Sequence, residues 1–368
     1  MCAMFSFSLF APRAPKSLFL KDTSDIFLLT KEGFKDLVYL LAVPLKSHQR
    51  EFSSQIYTSQ TACMSHNTSA SILLLPGEVH LGIFAELEDV VDVVALGLAS
   101  KYFWSLALPV LHDKWAAHLG PWAGEKIICV ANSCLKRGEY PPELSEYIGI
   151  LSSSSPRTYQ HSYLVDDIDD LPIHHSLLSN LSNSSVSASD CKDQYLGKFW
   201  EKAQRKRFLS QCLDRLAYSR SIYERYIKPD FENYKADNFY PGNQPWILRN
   251  LTTKEFVRSE AIALKPEYIH GPRIRGIGFE HVLVFRICWA PEHPDWYQGT
   301  LRSISKGVWA GHSFDIVQLS RHVEMTRGET WVDVSEEVMD EISTEWESIW
   351  GQKWRELVMI VAERQTPY

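Results

Sequence analysis

The stretch Leu75–Trp115 reads LPGEVHLGIFAELEDVVDVVALGLASKYFWSLALPVLHDKW, and its pattern sets how the whole chain is to be read. Leu75-Pro76 marks a helix start, because proline suits the first turn, where its missing N–H loses nothing. Glu78 places negative charge near the positive end of the helix dipole. Val79, Ile83, Phe84 and Leu87 then follow at i, i+4, i+5 and i+8, an apolar stripe at helical period. Glu88-Asp89 interrupts the run, and Asp89 suits the cap of a second helix. That helix, with Val90, Val91, Val93, Val94, Leu96 and Leu98, is apolar nearly all round and is therefore expected to be covered on several sides. Ser100 is placed to cap a third helix carrying Phe103, Trp104, Leu106, Leu108 and Leu111, with Pro109 as a kink or break. Some 45 residues are too few to bury a large core alone. The segment therefore either packs on the rest of the chain or presents apolar surface to a partner. By periodicity alone an internal helical hairpin is the better reading, since amphipathic helices are usually core.

The order Leu-Pro-x-Glu-Val, Ile-Phe-x-x-Leu, Asp, then Leu-x-Leu-x-Ser-Lys resembles the F-box, a helical module that docks a protein onto the Skp-type adaptor of a cullin ubiquitin ligase. The resemblance implies that Leu75, Pro76, Val79, Ile83, Phe84 and Leu87 contact the adaptor. It implies that Leu96, Leu98, Ser100 and Lys101 form a second block, part core and part interface. Trp104-Ser105-Leu106 departs from the pattern, since the family often has a charged residue there. The implied protein is a substrate receptor of a Skp–cullin–F-box ligase. Its partners would be the adaptor, through it a cullin, and a target protein. It would not be an enzyme, and it would have no catalytic residue, cofactor or metal. A ligand-binding or enzymatic protein, with this segment only as core, is the alternative.

The 368 residues allow two or three domains, and 45% hydrophobic residues allow real cores. A net charge of −7 disfavours general binding to nucleic acid or acidic membrane. The seven cysteines are odd in number and form no Cys-x-x-Cys pair, so neither a disulfide scaffold nor a zinc ribbon is indicated. Reduced thiols in cytoplasm or nucleus are the simplest account. Leu37–Leu45 is the longest apolar stretch near the start and falls far short of the ~20 residues needed to cross a bilayer. Pro12 and Pro15 interrupt the opening Met1–Leu20, a poor targeting segment. Met64 precedes the Leu-rich lead to Leu75, so residues 1–63 read as an extension ahead of the native start.

The expected class is α+β, in five segments. Residues 1–71 are a poorly ordered extension, 72–119 the F-box, and 120–150 a helical extension. Residues 151–193, rich in Ser and Asp, are a linker. Residues 194–368 form a C-terminal recognition domain with a long leading helix (195–226), a small, mainly antiparallel sheet and a C-terminal helix. Lys202, Arg205, Lys206 and Arg207 make a basic, solvated face on the leading helix. Within this domain Trp246–Leu248, Phe279–Trp289 and Trp309–Leu319 are expected strands. Thr252 and Glu255 suit a capping box, and Ser335–Trp350 a helix stopped by Gly351. Leu357–Val361 fits a strand or a helix. Trp246–Trp289 and Trp331–Glu337 loosely resemble the C-terminal part of fungal F-box proteins.

Few residues point to chemistry. Gly276-Ile277-Gly278 lacks the third glycine of a nucleotide fingerprint and reads as a turn. His270, His281, His293, His312 and His322, with Asp295 and Asp315, show no ligand spacing. His174-His175 beside the Asp166–Asp170 cluster is expected to be solvated. A target pocket among Trp246, Trp289, Trp296 and Trp309 is left open.

Overall fold

The computed structural model describes residues 7–11, 17–20, 35–46, 72, 75–117, 119–131, 185–187, 239–289 and 306–364. These fall into two compact units. A mixed unit takes the described residues up to Val43, those within 120–192 and those from Gly242 onward. A helical unit takes those within Pro44–Leu119 and up to Pro241. The class is α+β, helices with small sheets.

The chain opens with strands β1 (Phe7–Phe10) and β2 (Ser17–Leu20) and helix α1 (Lys35–Leu41). Helices α2 (Gly77–Glu86), α3 (Val90–Gly97) and α4 (Lys101–Ala116) follow. Next come β3 (Ile128–Ala131), β4 (Ser185–Ser187), β5 (Trp246–Asn250), β6 (Glu255–Arg258) and the short helix α5 (Ser259–Ile262). Strands β7 (Ile269–His270) and β8 (Arg273–Ile274) form a small ladder before helix α6 (Phe279–Ile287) and β9 (Cys288–Trp289). The chain continues through β10 (Phe314–Gln318), α7 (Leu319–Met325), β11 (Val332–Asp333), α8 (Ser335–Trp350) and α9 (Trp354–Arg364).

The mixed unit holds two sheets. One runs β4-β2-β1-β3-β9 and the other β10-β5-β6-β11. In the second, β10, β5 and β6 are antiparallel, and β11 joins β6 in parallel. All five residues of β5 are buried, as are all five of β10. The Trp246-Ile247-Leu248 and Ile316-Val317 runs suit strands covered on both faces, and the polar residues among them are buried too, Arg249 and Asp315 as a pair. The β5–β6 turn rests on Asn250, whose Oδ1 accepts from the Thr252 and Thr253 amides (3.1 and 3.3 Å). Lys254 completes it at φ 58°.

Several expectations are corrected here. Thr252 and Glu255 start no helix. The Thr252 hydroxyl accepts from the Ser313 amide (3.0 Å), and Glu255 opens β6. Of the expected Phe279–Trp289 strand, only Cys288–Trp289 is one; Phe279–Ile287 is helix α6. That segment is apolar over most of its length, and a short apolar run does not distinguish a buried helix from a covered strand. The local signal was the cap, where the Gly278 amide donates to His281 Nδ1 (3.0 Å). Residues 121–124 are turn and Ile128–Ala131 is a strand, so the described part of 120–150 is no helical extension. Its β-branched run pairs with β1 and β9. The stretch Trp309–Leu319 is strand only over Phe314–Gln318.

Residues 1–71 are not wholly a poorly ordered extension. In α1, Leu37, Val38, Leu40 and Leu41 are buried. The Leu40 carbonyl accepts from the Trp122 amide (2.8 Å), and Val43 N donates to the Ile316 carbonyl (2.9 Å). Helix α1 is core of the mixed unit, whereas that unit was expected to begin at residue 194. Helix α8 occurs as read, and Val338, Ile342 and Trp346 form its buried stripe. Gly351 ends it at φ +76°, a conformation that favours glycine. The Leu357–Val361 question resolves as helix α9, with Trp354, Val358 and Ala362 buried at four-residue steps. The expected helix over 195–226, with its basic cluster, and most of the 151–193 segment lie outside the described residues.

Candidate docking surface on the first helix of the helical unit

Helix α2 starts where Leu75-Pro76 predicted. Pro76 stands at its N-cap with φ −56°, and its carbonyl accepts from the Val79 and His80 amides (3.0 and 3.2 Å). Ser100 caps α4, its hydroxyl accepting from Phe103 N at 3.1 Å. Pro109 lies inside α4, which continues unbroken to Ala116. Gly97 lets α3 and α4 approach closely, since a Cβ there would lie 2.8 Å from Ala107 Cβ.

Helix α2 is divided between two faces. His80 and Phe84, four residues apart, are buried. His80 Nε2 donates to the Ile72 carbonyl (2.7 Å), and the Tyr102 hydroxyl donates to Nδ1 (2.9 Å). The Phe103 ring stands edge-on to His80 with centroids 5.2 Å apart, and Phe84 lies 6.1 Å from the same ring. The second face carries Leu75, Val79 and Ile83. Leu75 is 37% exposed, Val79 44%, and Ile83 partly so. Leu81 is 41% exposed too, but it lies about 200° round the helix from Val79 and is not part of that row. An ordinary surface helix turns charge outward and apolar groups inward. Here apolar side chains remain outside while a histidine is taken inside.

Of the residues expected to contact an adaptor, Leu75, Pro76 and Val79 are exposed, and Ile83, Leu87 and Leu96 are partly exposed. Phe84 and Leu98 are corrected: both are fully buried in the helical unit. Phe84 sits one residue beyond Ile83, about 100° around the helix, and that turn carries it onto the His80–Phe103 side. Val93 and Val94 are also buried, as an all-round apolar helix requires. The reading of the sequence missed His80, Tyr102 and Leu81. Their roles show only in the structure, where Phe84 turns inward and His80, four residues before it, shares that buried face.

The mixed unit assembles no metal-binding group of His, Cys, Asp and Glu among the described residues. Asp315 takes a bidentate pair from Arg249 (2.8 and 2.7 Å). His312 Nδ1 lies 2.9 Å from Asn250 Nδ2. His281 caps α6 and stands edge-on to Trp346. His322 lies 5.1 Å from Phe256 and 5.0 Å from Trp331, centroid to centroid. His270 is exposed; His293 and Asp295 lie outside the described residues, as do His174 and His175. Gly276–Gly278 is the expected turn, leading into α6. Trp246 and Trp309 are core, and the Trp309 indole donates to Glu255 (2.8 Å). Trp289 is partly exposed, and Trp296 lies outside the described residues. No helix among the described residues is long and apolar enough to cross a membrane. Compared with protein-family models, with curated proteins and with solved structures, the chain matches none.

Proposed function

We propose that the chain is a substrate-recognition subunit of a Skp–cullin–F-box ubiquitin ligase. Helix α2 docks on the Skp-type adaptor, and the mixed unit takes the target protein. The observation that carries this reading is the outward apolar row Leu75, Val79 and Ile83 on a helix whose inward face is already filled by His80 and Phe84. Leaving such side chains in water costs roughly 25 cal/mol for each Å² of apolar surface, and a docked helix recovers that cost. Helices at 77–86, 90–97 and 101–116 match the order of the resembling module. In this reading the chain performs no acid, base or nucleophilic step. It raises the rate of ubiquitin transfer by holding the target's lysine near the charged carrier enzyme. The cell compartment is cytoplasm or nucleus.

The second reading, an enzyme or binding protein with this segment as core, draws on the burial of Phe84 and Leu98. It leaves the exposure of Leu75 and Val79 unexplained. Co-purification with the adaptor separates the two. The wild-type chain captures adaptor and cullin, and replacing Leu75 and Pro76 with Ala removes both. Capture that survives the double replacement excludes α2 as the docking element. Capture of the adaptor without the cullin points to a role outside the ligase.

A further inference from the structure

Cys129 and Cys288 lie on neighbouring strands of the five-stranded sheet, directly opposite in the parallel β3–β9 ladder. Both are buried, and Cys288 Sγ–H points at Cys129 Sγ across 3.5 Å. Paired strands lie about 4.8 Å apart, and a disulfide accepts Cα separations of about 4.4–6.8 Å. Bond formation at ~2.05 Å therefore needs side-chain rotation, with the strands left in place.

The backbone holds the pair in this register from both sides. Strand β3 lies between β1 and β9. The far edge of β9 is held in turn, since the Gly307 amide donates to the Cys288 carbonyl (2.8 Å) and Trp289 bridges to Lys306. Gly307 makes this approach possible: a Cβ there would lie 2.2 Å from the Arg286 carbonyl oxygen. The two sulfurs, 159 residues apart in sequence, are thus aligned by structure rather than by a local motif.

We propose that Cys129 and Cys288 are an oxidative modification site, a dithiol that closes to a disulfide when the folded chain meets hydrogen peroxide. One thiol attacks a peroxide oxygen. The O–O bond breaks, sulfenic acid forms, and the departing hydroxide takes the thiol proton as water. The second sulfur then attacks the sulfenic sulfur and expels hydroxide, which takes the second proton. Two thiols lose two electrons, and one peroxide becomes two waters. Burial, and then the neighbouring Cys288 thiol, hold the Cys129 thiol well above its ordinary range. The thiolate is the nucleophile, so closure is slower than oxidation of an exposed cysteine. The bond ties 120–131 to 279–289 and adds a covalent staple to the sheet. The inference is independent of the docking role of α2.

The test uses the full chain, desalted from reductant, treated with hydrogen peroxide, alkylated in urea and cut with trypsin. The expected product joins Ile127–Lys136 to Ile287–Arg302 and is two hydrogens lighter than the separate peptides. Fragmentation must place the bond on Cys129 rather than on Cys134. A second chain, with Cys2, Cys63, Cys134, Cys191 and Cys212 replaced by Ser, keeps only the pair. Its two titratable thiols fall to none with peroxide and return with dithiothreitol, and its melting temperature rises and falls with them. Alkylated Cys129 and Cys288 after peroxide overturn the proposal. So does sulfinic acid on either, linkage to another cysteine, or closure only in urea.

Discussion

Arg249 and Asp315 face each other across β5 and β10, and their side chains are only 4% and 10% exposed. The Arg249 guanidinium also lies 5.4 Å from the Trp331 ring centre. Removing one member leaves the other charge buried and unpaired, which costs about 3–5 kcal/mol. Arg249→Ala or Asp315→Ala should therefore lower the urea midpoint steeply with an unchanged slope, as equilibrium denaturation will show. Burial, reinforced by the Arg249 guanidinium, holds the His322 imidazole below its ordinary value of 6.5. The folded state thus binds fewer protons than the unfolded chain just below that pH. The stability His322 contributes is complete above pH 6.5 and is lost as acidification passes through its lowered folded value. Denaturation between pH 7.5 and 5.5 should show a smaller loss in His322→Gln than in the wild type. An equal loss in both would remove His322 as the cause. Glu345 works in the opposite direction. Burial raises its carboxyl, so it disfavours the fold as pH climbs above 4.5.

Within α2, the proposed docking role and the folding role fall on different residues. Phe84→Ala opens the core and should cost about 3–5 kcal/mol, read as a lower melting temperature. Val79→Asp changes an exposed position and should leave stability within about 0.5 kcal/mol. Similar losses from both would assign Val79 to the core. Helix α1 gives a third case. A chain begun at Met64 lacks Leu37, Val38, Leu40 and Leu41, all buried in the mixed unit. It should unfold without a cooperative transition by circular dichroism, and a sharp, native-like transition would make α1 dispensable. The elements that were legible in the sequence explain themselves. Helices α2, α4 and α8 combine a 3.6-residue apolar period with a terminal marker: Pro76, Ser100 and Gly351 respectively. Helix α6 lacked a polar face, so its period was hidden. The Ile127–Val130 run was too short to arbitrate between helix and strand. The exposed apolar positions Leu75 and Val79 and the half-exposed Ile83 follow the helical period of the sequence, but the inward turn at Phe84 emerges only once α4 supplies Tyr102 and Phe103.

At the scale of the whole molecule, the sheets draw on distant parts of the chain. Strand β3 joins β1 and β9, and α1 meets β10 through the Ala42–Ile316 bridge. Such pairings follow from which apolar faces remain to be covered, and no local motif announces them. For that reason the expected helical extension over 120–150 fails around 120–131, which belongs with the mixed unit. The helical unit keeps its own core and still leaves Leu75 and Val79 partly in solvent. That exposed apolar face is what the proposed adaptor contact rests on. Titration calorimetry of the purified full chain against a purified Skp-type adaptor tests it most directly. The account predicts a one-to-one complex that Val79→Asp weakens at least about tenfold, roughly 1.4 kcal/mol, with the circular dichroism spectrum unchanged. An absence of heat from the folded wild type, or equal binding by the Val79→Asp chain, contradicts it.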